Sequence, residues 1–218
     1  MLPLRDVIPS RTVPFVTVTL IVLNALAWLF ELSMPREELT AFLQSWGVVP
    51  ATFVPVTLVS SMFLHGGWSH VIGNMWWLWI FGDNVEDRLG HGRFVVFYLL
   101  CGFVAAFGQM VLNPNSLVPM IGASGAIAGV MGAYFVLYPQ SRVLTLIPLI
   151  IFWDVIELPA IFLLGFWFVM QLFSAGAIAV TANTGGGGVA FMAHVAGFVA
   201  GAVGVFVFRK KQPPQYWV

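Results

Sequence analysis

Two residues in this 218-residue chain combine reactive side chains with apolar surroundings. Ser124 lies in Ile121-Gly122-Ala123-Ser124-Gly125-Ala126-Ile127-Ala128-Gly129, a serine among glycines and small apolar residues. His194 lies seventy residues further on, in Ala193-His194-Val195-Ala196-Gly197. A serine hydroxyl is a weak nucleophile until a neighbouring base takes its proton, and a neutral imidazole is such a base. The pair therefore points to hydrolysis by a Ser-His dyad. No Asp or Glu is expected at the same depth, so a third, acidic member is not. The helix that Ser124 opens would add unpaired backbone N–H groups and a positive dipole end, both suited to an oxyanion.

Few other polar residues interrupt the apolar segments: His70, Asn74, Gln109 and Gln171, with His65 just ahead of the segment that holds His70. His70 and Asn74 are four apart and share a helix face. Both carry N–H donors that suit a developing negative oxygen. A metal site built from His65, His70 and His194 is the competing reading. It lacks an H-E-x-x-H pattern and any deep carboxylate, so neither metal nor other cofactor is expected. The soluble-hydrolase elbow G-x-S-x-G is also unmatched, because Gly125 follows the serine directly.

These groups need elements to hold them. Gly125, Gly129 and Gly132 recur along one face of the Ser124 segment, and Gly197, Gly201 and Gly204 follow His194. Two smooth stripes let helices approach closely, and each stripe begins at a reactive residue. Composition names the solvent: 60% of residues are hydrophobic and 8% charged, against about 25% charged in soluble domains. A bilayer fits that balance. The net charge of zero gives no electrostatic footprint for nucleic acid. Cys101 is the only cysteine, so no intrachain disulfide forms, and mid-segment it reads as a small buried hydrophobe.

Spanning a bilayer takes roughly 20 apolar residues. Six segments qualify, at about 14–32, 68–85, 93–112, 124–139, 159–180 and 189–208. The expectation is an all-α membrane protein: a six-helix transmembrane bundle over 14–208, between a short cytoplasmic lead, 1–13, and a cytoplasmic tail, 209–218. The first span lacks a signal-peptide cleavage pattern and is read as a helix. The Gly-rich fourth and sixth spans are expected inside the bundle. The connection 33–67 reads as a partly helical interfacial loop, with Trp46 and Trp68 at headgroup level, and Trp76, Trp77 and Trp79 as lipid or interface contacts. The polar run 82–90 reads as a solvated turn with Glu86 or Asp87 paired to Arg88, and the four glycines at 185–188 as a flap. Six spans put both termini on one side with Arg5, Arg11, Arg88, Arg93, Arg142, Arg209, Lys210 and Lys211, leaving only Arg36 opposite. Positive residues collect inside, so both termini are expected in the cytoplasm.

The motifs resemble those of the rhomboid family of intramembrane serine proteases, in its prokaryotic six-helix form. Gly122-Ala123-Ser124-Gly125 is similar to the family's G-x-S-G nucleophile motif, and Ala193-His194-Val195-Ala196-Gly197 with Gly201 to its A-H-x-x-G-x-x-x-G helix. His70-Val71-Ile72-Gly73-Asn74 is similar to its H-x-x-x-N motif, and Val85-Glu86-Asp87-Arg88-Leu89-Gly90 to its V-E-x-R-x-G turn. The similarity runs from about Trp46 to Phe208. It implies Ser124 as nucleophile and His194 as general base, with His70, Asn74 and the Ser124 N–H as oxyanion hole. His65 would organise the loop above the site. Glu86, Arg88, Gly122, Gly125, Gly129, Gly197 and Gly201 would be structural. It further implies transmembrane protein substrates, entry between the second and fifth spans, a cap before the sixth, and a plasma (inner) membrane setting.

Two departures stand out. Ala128 occupies the place of an aromatic that packs on the imidazole in many members, and the Trp-Arg pair of the first loop has no counterpart. An inactive rhomboid-like binding or quality-control factor is the alternative from another class, but such relatives typically lose the serine or histidine. A transporter fits poorly, since no charged residue is expected within a span. A polar cavity open to the outer side is expected between His70, Asn74, Ser124, His194 and the 183–188 loop, because hydrolysis needs water.

Overall fold

The computed structural model describes residues 1–149, 152–180 and 190–210. In chain order the elements are β1 (Leu2–Asp6), α1 (Phe15–Leu32), α2 (Arg36–Trp46), α3 (Thr57–Ser60), α4 (Trp68–Leu89), α5 (His91–Leu112), α6 (Ser124–Leu137), β2 (Arg142–Leu149), β3 (Phe152–Pro159), α7 (Ala160–Val180) and α8 (Phe191–Phe208). The fold is predominantly helical. By length and composition, α1, α5 and α8 qualify to cross a membrane among the described residues, and α6 and part of α7 form shorter apolar helices. α4 is as long as α5 but ends in Asp83, Glu86, Asp87 and Arg88.

α6 is the central element. Every residue from Gly125 to Tyr134 is buried, and the helix packs most extensively against α8, then α5 and α4. Close approach to α8 follows from the glycines. A β-carbon on Gly197 would strike the carbonyl oxygen of Gly125, and one on Gly201 the carbonyl oxygen of Gly129. The two helices therefore meet main chain to main chain. Cys101, buried on α5, lines the same contact at Gly129.

The chain is not all-α as expected, and the departure is a small sheet. β1, β2 and β3 form an antiparallel sheet in the order β1-β2-β3. β1 lies within the supposed lead, and β2 and β3 within the supposed turn after α6. Along β2, Val143 and Thr145 are buried, while Leu144 between them and Leu146 after them are partly open. That two-residue period is a strand's, hidden in a run that is apolar on both faces. β1 is held to the bundle by Trp76 Nε1–H on the Pro3 carbonyl (2.6 Å), and by Asp6, which accepts from Asn84 (3.0 Å) and Tyr134 (2.7 Å). Burial pushes the Asp6 carboxyl up to about 6, with the Tyr134 hydrogen bond working against the rise.

The polar run 82–90 is likewise no solvated turn. It forms the last two turns of α4, and Gly90, at φ 84°, reverses the chain directly into α5. Glu86 is fully buried and does not pair with Arg88. Its carboxylate accepts the N–H groups of Val16 and Thr17 at 2.8 Å and the Thr17 hydroxyl at 2.7 Å, and His91 lies 2.5 Å away. α1 has no side-chain cap of its own, so α4 caps it. Asp87 accepts from the backbone of Arg11 and Thr12.

Arg88, Arg93 and Lys210 meet at one end of the bundle, where Lys210 N–H donates to the Arg88 carbonyl and Arg93 reaches that of Phe208. Arg36 opens α2, just beyond the far end of α1. Of the tryptophans expected at lipid, Trp79 is well exposed, but Trp77 turns inward onto Trp167 at 6.2 Å. The glycines at 185–188 and the tail 211–218 lie outside the described residues.

Candidate active site

Ser124 is the first residue of α6, with Ala123 as a capping position that offers no side-chain bond. The first internal bond runs from Ile127 N–H to the Ala123 carbonyl, which leaves the earlier N–H groups ahead of it facing outward. The chain arrives through Gly122 at φ 116°, a conformation that strains any L side chain. It is fixed there by Gly122 N–H on the Ser61 carbonyl and by a two-way bridge between Met120 and Val48. The 33–67 connection, which carries α2 and α3, thus holds the lead into Ser124.

His194 stands in the first turn of α8, nine-tenths buried. Its Nε2 is 2.8 Å from Ser124 Oγ. Its Nδ1 is 2.8 Å from Gln171 Oε1 on α7. The Trp167 ring, one turn earlier on α7, lies 5.8 Å from the imidazole. The imidazole is thus met from α7, whereas Ala128 on α6 offers it no aromatic ring. Sequence reading placed Gln171 in an apolar segment but gave it no partner, and nothing in spacing alone links residue 171 to residue 194.

His70 and Asn74 rise from the first turns of α4. Gly66 N–H donates to His70 Nδ1 at 3.3 Å, which leaves the hydrogen on Nε2. That nitrogen lies 2.5 Å, and Asn74 Nδ2 3.6 Å, from the point a β-carbon on Gly122 would occupy. Two donors therefore converge on the space beside Gly122, two residues before Ser124, and glycine keeps it open. His65 Nε2 sits 3.0 Å from Asn74 Nδ2, and the His65 ring is 5.0 Å from that of His70. Burial, aided by the neighbouring His70, pushes the His65 imidazole down to about 4, so it is neutral and its Nε2 can accept from Asn74. The backbone N–H of His65 donates to both oxygens of Glu31, a fully buried carboxylate at the end of α1. This contact, unforeseen in the sequence, anchors the loop where the Trp-Arg pair is missing.

A small cavity of about 50 Å³ borders Ser124, Gly122, Met62 and Ala193, enough for about one water. The cavity expected between His70, Asn74, Ser124, His194 and the 183–188 loop has its loop boundary outside the described residues. Glu86 and Arg88 are remote from the dyad, at the opposite end of α4 from His70. No group of His, Cys, Asp or Glu among the described residues is arranged to hold a metal ion.

Residues 53–211 match the family model of the rhomboid domain, and the chain belongs to the rhomboid family, whose members are integral membrane proteins. It is 33% identical over 131 residues to the protein named "Putative rhomboid protease YdcA" of Bacillus subtilis, across 57% of this chain and 62% of that one. It is 36% identical over 85 residues to the rhomboid protease GluP of the same organism, across 39% of this chain and 16% of GluP. It is 30% identical over 158 residues to Rhomboid-like protein 11, chloroplastic, of Arabidopsis thaliana, across 70% of this chain and 52% of the relative. The chain thus spans less than two thirds of the length of these curated relatives.

Proposed function

We propose that this chain is an intramembrane serine endopeptidase that hydrolyses peptide bonds of transmembrane proteins in or near the bilayer. The observation that carries the reading is the 2.8 Å approach of Ser124 Oγ to His194 Nε2 inside an apolar bundle. His194 takes the serine proton as Oγ attacks the scissile carbonyl carbon. Negative charge moves to the carbonyl oxygen, which His70 Nε2–H, Asn74 Nδ2–H and the Ser124 N–H receive. As the C–N bond breaks, His194 passes its proton to the leaving amine. Water, deprotonated by His194, then attacks the acyl-serine and frees the second product.

The alternative of an inactive relative has no observation in its favour, since nucleophile and base are both present and in contact. The family acts on transmembrane substrates, and we place entry between α4 and α7. The gathering of basic residues at one end of the bundle supports both termini on the cytoplasmic side. The test is cleavage of a single-span substrate by the purified protein in liposomes. Ser124→Ala and His194→Ala should each abolish cleavage and fluorophosphonate labelling; cleavage surviving in Ser124→Ala refutes the assignment.

A further inference from the structure

We propose that Gln171 completes the hydrolytic unit as a positioning residue: its side-chain oxygen fixes the tautomer of His194 and aims Nε2 at Ser124. The inference rests on the protease reading above. A neutral imidazole has one N–H and one lone pair. To accept from the Ser124 hydroxyl, Nε2 must hold the lone pair, so Nδ1 must hold the hydrogen. An N–H buried among apolar side chains without an acceptor keeps an unpaid desolvation cost, and the rejected tautomer, with its hydrogen on Nε2, cannot take a proton from serine at that nitrogen. Gln171 Oε1, 2.8 Å from Nδ1, supplies the acceptor and selects the working tautomer.

The choice of an amide has a physical reason. A carboxylate could hold the ring in the same way, as in soluble triads, but an ionised group at membrane depth is costly to desolvate. A neutral amide gives direction at lower cost. When His194 takes the serine proton, both ring nitrogens carry hydrogens and the Nδ1–H···Oε1 bond becomes charge-assisted and stronger. Gln171 itself neither takes nor gives a proton. Trp167 stands four residues earlier and faces the same ring, so one face of α7 supplies both packing and hydrogen bond.

Two variants in the full-length protein test this. Gln171→Met keeps length and bulk without the amide oxygen; Gln171→Glu keeps an acceptor. Gln171→Met should lower kcat about 10–100-fold, the range seen when the hydrogen-bond partner that orients a metal-bound histidine is lost, with KM within about twofold. Fluorophosphonate labelling of Ser124 should slow in parallel, in protein that remains folded at the assay temperature. Gln171→Glu should recover most of the labelling rate. Wild-type labelling in Gln171→Met, or equal loss in both variants with falling stability, overturns the proposal. Failure of the wild type to label or cleave overturns the protease reading itself, and this inference with it.

Discussion

The carbonyl oxygen of Gly129 occupies the place where Gly201 would carry a β-carbon, so α6 and α8 touch backbone to backbone just below the dyad. Gly201→Ala must push the helices apart. Overpacking of this kind costs about 1–3 kcal/mol, and a displacement of about 1 Å at reacting groups costs about 10²-fold in rate. Gly204→Ala is the control, because its β-carbon would meet Phe97 at an ordinary 3.5 Å. Cleavage rates and unfolding midpoints in detergent should separate the two: large losses for Gly201→Ala, near-wild-type behaviour for Gly204→Ala.

The donors beside Gly122 make a kinetic prediction. Asn74→Ala or His70→Ala should lower kcat by about 10²–10³-fold, the usual effect of removing one oxyanion donor. Substrate capture by the Ser124→Ala background should persist when either change is added. Unchanged kcat in both would remove these residues from the reaction.

Glu86 makes a stability prediction. It receives two backbone N–H groups and a hydroxyl from the start of α1, and hydrogen bonds to charged groups contribute about 1.5–3 kcal/mol. Glu86→Ala should therefore lower the unfolding midpoint strongly, with Thr17→Ala showing a smaller part of the same loss. Arg88→Ala should matter less than Glu86→Ala, since no ion pair joins the two. Equal losses for Glu86→Ala and Arg88→Ala would contradict the capping role.

Asp6 makes a pH prediction. Its carboxyl is raised from 3.8 to about 6 by burial, so the folded protein holds this proton more tightly than the unfolded chain does. Its contribution to stability is full below about 3.8 and is lost as pH rises through about 6. Asp6→Asn keeps an acceptor for Asn84 and Tyr134 and removes the titration. Its stability relative to wild type, followed by amide exchange in β1, should grow between pH 4 and pH 7; a pH-independent difference would exclude the linkage.

Much of the site is legible in the residues themselves. Rare polar groups in apolar segments stand out because lipid penalises them, and glycine stripes announce close helix contact, so Ser124 and His194 could be paired across seventy positions. The 70/74 spacing likewise states a shared helix face. What no local pattern carries is which side chain from a third helix meets a given group. Gln171 on His194, Glu31 on the His65 backbone and Glu86 at the start of α1 are all contacts between segments far apart in the chain, and each depends on how the helices are rotated and docked. The central strand is hidden for a related reason: β2 is apolar on both faces and has no visible period until one face is buried against the bundle. Residue chemistry thus set which groups could react, while packing decided their partners, because hydrogen-bond reach is a matter of ångströms that only the assembled bundle defines.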